Sequence, residues 1–391
     1  MGPELISFFI VLLAGVFFSV IFARLHIPWV VALIVGGIII GPHVLGVFEP
    51  NPTIEFLGAI GLIFLMFTGG LETRLESISR LRYDLVIITL LNGGIPFLVG
   101  LGIGWYFGYP LTTALLLGII FISSSISVVV PALEAGGLIR TRTGQSILGA
   151  TIVQDVISLI LLSILLQKIA PVTTLPLPLF YILLFAAILA LRWVIVHVRT
   201  FFKRYASGLQ DFFQQEVRSV FVILIGTVVV FQLLGLHPII GGFFAGVVLS
   251  GSITNDVLKG KIRALSYGLF IPIFFVVIGA QTDIGAFADA GGTVLVLTAV
   301  IVVGTLTAKF VGGFTAGLIT RHSLRESELI GVATLPQLST TLAVASTGFA
   351  FGFIDQTLIT ALVILSIVTT LLGPLLIKIV GAGISREQNA L

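Results

Sequence analysis

Thirteen apolar runs, most of them about 20 residues long, follow one another along this chain with little soluble sequence between them. A run of that length crosses the hydrocarbon layer as a helix. In lipid, only helices and closed barrels can satisfy their own backbone polar groups. The predicted spans lie at about 4–23, 28–42, 53–71, 84–107, 111–134, 143–167, 177–201, 213–235, 238–251, 262–281, 290–319, 325–350 and 356–381. Composition agrees: 57% of the 391 residues are hydrophobic and 9% are charged, against about 25% charged in a soluble domain. So few charges cannot coat a water-facing surface, and lipid must be the solvent. The 44 glycines suit close helix packing in a membrane. There are no cysteines, which excludes disulfides and thiolate metal sites. A net charge of +3 gives no nucleic-acid footprint. The first run lacks a basic leader and is expected to be a retained span rather than a signal peptide.

The charges test the count. With thirteen spans and the amino terminus outside, Arg24, Arg80, Arg140, Lys203, Lys261, Arg321 and Arg386 all face the cytoplasm, whereas Lys168 alone among the basic residues faces out. Glu49, Glu55, Asp283 and Asp355 gather on that outer side. Enrichment of Lys and Arg on the cytoplasmic side is the expected bias of an inserted bundle. The predicted location is the cell membrane, crossed many times, with the carboxyl terminus inside.

The two halves resemble each other at an offset of 210 residues. IPWVVALIVGGIIIG (27–41) lies over HPIIGGFFAGVVLSG (237–251), matching Pro28 with Pro238 and Gly36 with Gly246. At the same offset FLMFTGGLET (64–73) lies over FFVVIGAQTD (274–283), matching Gly69 with Gly279. Seven spans separate the copies. An odd number turns the second copy upside down, so residues 1–176 and 213–391 are expected to be inverted six-helix repeats joined by a connector, 177–212. Inverted repeats mark secondary transporters, with sites where broken helices meet near the midplane. SSSIS (123–127) in the fifth span falls over ATLPQ (333–337) in the twelfth. Pro336 removes a backbone donor and disfavours helix at the residue before it, and serines compete for freed backbone groups. Both spans are therefore expected to be interrupted.

Asp155 is the one acid clearly in the middle of a span, and Lys309 the one base. Each costs on the order of 3 kcal/mol at mid-bilayer, which makes it a functional candidate. Thr151, Asp155 and Ser158 fall at i, i+4 and i+7, a polar stripe on one face, with Gln154 about 100° round. Oxygens of this kind suit a hard cation. Gln154, Ser124, Ser125 and Thr151 are expected to complete its shell, supported by Ser123, Ser158, Lys309, Pro336 and Gln337. A buried carboxylate becomes neutral by holding either a cation or a proton, and only the neutral site crosses cheaply. The alternative is that Asp155 and Lys309 form an ion pair that merely holds two helices together.

This order of elements resembles the monovalent cation/proton antiporter superfamily, particularly its Kef-type branch, over nearly the whole chain. The carrying residues are Gln154-Asp155, Ser123-Ser124-Ser125, Lys309, Pro336-Gln337 and the GLE at 70–72. The resemblance implies a homodimer in the lipid bilayer, with a core of spans 4–6 and 11–13 (about 84–167 and 290–381) moving against a dimerisation domain. It implies that Asp155 binds Na+ or K+ and H+ in turn, with no other cofactor. Electrogenic relatives carry two adjacent acids where this chain has Gln154-Asp155. One-for-one, electroneutral exchange is therefore expected, with Lys309 remaining protonated. Some relatives have a glutamate near Gln337, and Kef-type proteins often carry a nucleotide-binding domain; neither is expected in this chain.

Rival classes fare less well. A sodium-coupled solute symporter of related architecture needs more polar groups for an organic substrate than the spans offer. A channel sits poorly with rocking repeats. An enzyme needs a Ser/His pair or a metal-spaced cluster, and the five histidines are scattered over loops and helix ends.

Overall fold

The computed structural model describes residues 3–25, 27–72, 82–169, 214–233, 238–251, 253, 255–283 and 292–390, and every regular element among them is a helix. The expected connector span at 177–201 lies outside the described residues. In chain order the helices are α1 (Pro3–Arg24), α2 (Trp29–Ile40), α3 (Pro52–Glu72), α4 (Arg82–Tyr106), α5 (Leu111–Ile122), α6 (Ile126–Ala135) and α7 (Arg142–Ile169). They continue as α8 (Gln215–Leu233), α9 (Pro238–Ser250), α10 (Asp256–Leu265), α11 (Ile271–Ala280), α12 (Gly292–Ile319), α13 (Leu324–Ala333), α14 (Ser339–Ala350) and α15 (Gln356–Ala390). The fifth and twelfth spans are each broken in two, as α5/α6 and α13/α14. The twelve spans that lie among the described residues match the expected order.

Nine stretches among the described residues are long and apolar enough to cross a membrane, and α2 and α9 are shorter apolar helices. The tenth span departs from expectation. It starts at Asp256 rather than near 262, because Asn255 caps it by accepting from the Val257 amide at 2.9 Å. Lys259, Lys261 and Arg263 therefore sit on an amphipathic first helix and not in a loop. A single π-helical turn, Ser266–Phe270, joins α10 to α11.

The chain divides into two compact units. One comprises Met1–Glu55, Leu75–Leu162 and Phe275–Leu391, and the other Phe56–Arg74 and Ser163–Phe274. Within the first, α2 crosses α11 so closely that a Cβ on Gly37 would overlap the Val276 carbonyl, and one on Gly279 the Ile34 carbonyl. Within the second, α3 crosses α9 in the same way, at Gly70 against Phe243 and Gly246 against Phe67. Shifting Gly279 and Gly246 back by the repeat offset gives Gly69 and Gly36. The two crossings are thus one contact made twice, to within a residue. Such approaches are how helices bind in lipid, where the solvent is as apolar as the side chains and contact must do the work.

In the first unit, Leu85, Ile88, Val129, Leu133, Ile147, Leu329, Ile330 and Ile377 form one buried cluster. It packs α4, α6, α7, α13 and α15 together and fixes the helices that carry the breaks.

Candidate functional site

Helix α5 stops at Ile122, and the chain runs extended through Ser123 and Ser125 before α6 begins. A helix end leaves its last four carbonyls without intrahelical partners. Here each meets a side chain. Ser158 donates to Ile119 at 3.0 Å, Ser123 to Ile120 at 3.2 Å, Gln337 Nε2 to Phe121 at 3.2 Å, and Lys309 Nζ to Ile122 at 2.5 Å. Four residues picked out in the sequence thus share one structural task, and three of them come from other helices or from the second break.

The α13/α14 break answers the first. Thr334 turns its hydroxyl back onto Ile330 and Gly331, at 3.0 and 3.1 Å. The Pro336 carbonyl accepts from the Ser125 amide at 2.7 Å. The Ser124 hydroxyl donates to the Thr334 carbonyl at 2.8 Å. Residues 124 and 334 are separated by the repeat offset, so equivalent positions of the two repeats touch each other.

Lys309 is fully buried on α12. An ammonium has three protons to give, and three neutral acceptors take them: Ile122 O, Ser124 Oγ at 3.0 Å and Gln154 Oε1 at 3.4 Å. No ion pair joins Lys309 to Asp155. The pairing alternative is therefore not what the structure contains.

Asp155 lies on α7, 4% exposed, and its Oδ1 has no hydrogen-bond partner. One helical turn earlier, the fully buried Thr151 Oγ1 also lacks one. The hydroxyl of Thr340, at the start of α14, and the backbone of Ser124 face the carboxylate. Buried polar atoms are nearly always bonded. Two such oxygens on one helix face, beside the crossing of two breaks, form an arrangement able to accept a small cation. Of the other expected ligands, Ser125 turns its hydroxyl to Ser127 at 3.0 Å, and Gln154 instead accepts from Lys309 and donates to Asn92; Ser123, an expected support, also meets Thr341 at 3.1 Å. Gln337 is held from its backbone, its amide donating to Thr369 Oγ1 at 3.1 Å.

Sequence reading missed Asn92, in the middle of α4. Its Nδ2 donates to the Lys309 carbonyl at 2.6 Å and to Thr334 Oγ1 at 2.9 Å, and its Oδ1 accepts from Gln154 Nε2 at 3.0 Å. Thr334 and Thr340 were missed for the same reason: they are uncharged, and hydroxyls and amides are common in spans.

A second polar cluster ties one end of the same unit. The Arg142 guanidinium grips both oxygens of buried Asp84 at 3.0 Å and donates to the Thr320 carbonyl. Ser146 adds a bond to Asp84 at 3.3 Å, and Thr143 donates to Glu326 at 2.9 Å. His322, outside the spans, sits 3.9 Å from Asp84, and burial together with the Arg142 charge keeps its pKa below the usual histidine value.

Inverted repeats crossing through two broken helices, with ionisable groups buried at the crossing, define a secondary transporter. The transmembrane sodium/hydrogen exchanger family matches residues 8–382. The probable Na(+)/H(+) antiporter 3 of Methanocaldococcus jannaschii is 30% identical over 375 residues, 95% of each chain. The Na(+)/H(+)-K(+) antiporter GerN of Bacillus cereus is 31% identical over 360 residues, 91% of this chain and 90% of GerN. Among solved structures, the sodium proton antiporter MjNhaP1 of M. jannaschii superposes with a TM-score of 0.70 over 95% of this chain and 96% of that one. At 18% identity it speaks for the fold alone. The chain belongs to the sodium/hydrogen exchanger family. These relatives support the wider superfamily expected from the sequence but not its Kef-type branch.

Proposed function

We propose that this protein is a cation/proton antiporter that exchanges H+ for Na+ or K+ by alternating access, with Asp155 holding ion and proton in turn. The partnerless Asp155 oxygen supports this function most directly. An ion-paired carboxylate would need its partner displaced before each cycle, whereas this one lies one helical turn from a partnerless threonine oxygen and has no ammonium within ion-pair distance. Thr151 is the added ligand, the Ser124 backbone amide steadies the carboxylate by donating to it, and Gln154 and Lys309 act as supports. The names of the relatives carry Na+ and, for GerN, K+ as well. The protein acts in the cell membrane with its amino terminus outside, as a homodimer.

The exchange is one-for-one. Asp155 releases one proton for each cation it takes, and a cation entering there displaces none of the three acceptors of Lys309, which do not include Asp155. In proteoliposomes driven by a pH step, with Na+ or K+ and no organic solute, exchange should proceed at the same rate whether or not the membrane potential is clamped. A rate that follows the potential, without a leak, refutes the stoichiometry; no exchange without an added organic solute favours the symporter instead.

The serines separate within this scheme. Ser124→Ala removes an acceptor of Lys309 and the donor to Thr334, so the apparent cation affinity should weaken about ten-fold, the effect of one hydrogen bond to a charged group. Ser125→Ala, whose hydroxyl faces Ser127, should weaken it less. Cation titration of both variants checks the order, and the reverse order removes Ser124 from the site.

A further inference from the structure

We propose that Asn92 is a positioning residue of this site: it holds the Gln154 amide with its oxygen toward Lys309, and so keeps the ammonium satisfied without Asp155. The inference rests on the reading of Asp155 as the exchanging carboxylate.

The chain of hydrogen bonds has one possible polarity. At one end stands Lys309 Nζ, which only donates, and it meets Gln154 Oε1. At the other stands the Lys309 backbone carbonyl, which only accepts, and it meets Asn92 Nδ2. The two amides lie between, joined by Gln154 Nε2 donating to Asn92 Oδ1. Turning either amide over sets donor against donor at the ammonium, or acceptor against acceptor at the carbonyl. Asn92 is itself locked, because its second Nδ2 proton goes to Thr334 Oγ1, and that hydroxyl spends its own proton on the carbonyls of α13. A single fully buried side chain therefore links α4, α7, α12 and the α13/α14 break.

Without the Asn92 oxygen, the Gln154 NH2 is a buried donor with nothing to bond. The amide is released, Lys309 loses a fixed acceptor, and the nearest acid that can replace it is Asp155. A carboxylate held by an ammonium must be freed before a cation binds. The expected signature is therefore weaker cation binding and not a slower turnover.

The test uses the full chain in proteoliposomes, with Na+ and K+ each titrated at fixed pH. Asn92→Ala and Asn92→Ser should each raise the apparent KM about ten-fold, the effect of one hydrogen bond to a charged group, with kcat little changed. In a Gln154→Leu background, neither should raise KM further, because the two act through one amide and their effects cannot add. A fall in kcat at constant KM, or additive effects, would overturn the proposal. Should both single variants be missing from the membrane, each Gln154→Leu double variant decides. Its recovery supports the proposal, since removing both partners relieves the orphaned donor, and its absence assigns Asn92 to folding alone. Failure of the wider function reads differently: the wild type then shows no exchange, whatever the Asn92 variants do.

Discussion

Asp155→Asn is expected to abolish exchange completely while the protein inserts and folds as before. Asparagine keeps the shape of the side chain, and the Oδ1 it inherits had no hydrogen bond to lose. The new amide carries neither a titratable proton nor an anionic charge, so it can neither release H+ nor neutralise a bound cation. Thermal unfolding in detergent should match wild type. Exchange near the wild-type rate in this variant would remove Asp155 from the transport step.

Lys309→Met is expected to damage the fold more than the chemistry. Methionine has a similar length and packs well in irregular space, so the change leaves no large cavity. It strands the Ile122 carbonyl and deprives Ser124 and Gln154 of a donor. One or two buried acceptors left unmet cost roughly 2–4 kcal/mol, which should lower the unfolding midpoint by several degrees. The surviving protein should still exchange, and still without response to membrane potential. A stably folded Lys309→Met that has lost all exchange would make Lys309 a participant in transport rather than a helix cap.

Much of this bundle was legible because the membrane punishes ambiguity. A span must be apolar throughout, so the segments stand out, and Pro336 and the serines at 123–125 mark the places where two of them break. Asp155 and Lys309 were visible because each is costly where it stands. What the pattern hid was who bonds to whom. Residues 122, 154 and 309 lie far apart in sequence, and no spacing rule says that the ammonium meets a helix end and a glutamine instead of the acid. Asn92 was invisible for a different reason. An amide within a span is cheap enough to be ordinary, and only its three partners distinguish it. The start of α10 was misread because its charges look like a loop when only span hydropathy is scored, although Asn255 is a recognisable cap.

The contact of Ser124 with Thr334 has a consequence for direction. Residues that are equivalent in two inverted repeats and touch each other sit on the axis that relates them. If transport exchanges the conformations of the two repeats, that contact maps onto itself, and the centre favours neither side of the membrane. Preference must then come from parts that the repeat does not reproduce. Asp84 and Arg142 are such parts, because the same offset carries them to Val294 and Gly352, which hold no charge. The Asp84–Arg142 ion pair buckles one end of the unit and the repeat places no copy of it at the other, so a bias between facing in and facing out would be written at the rim and not at the ion.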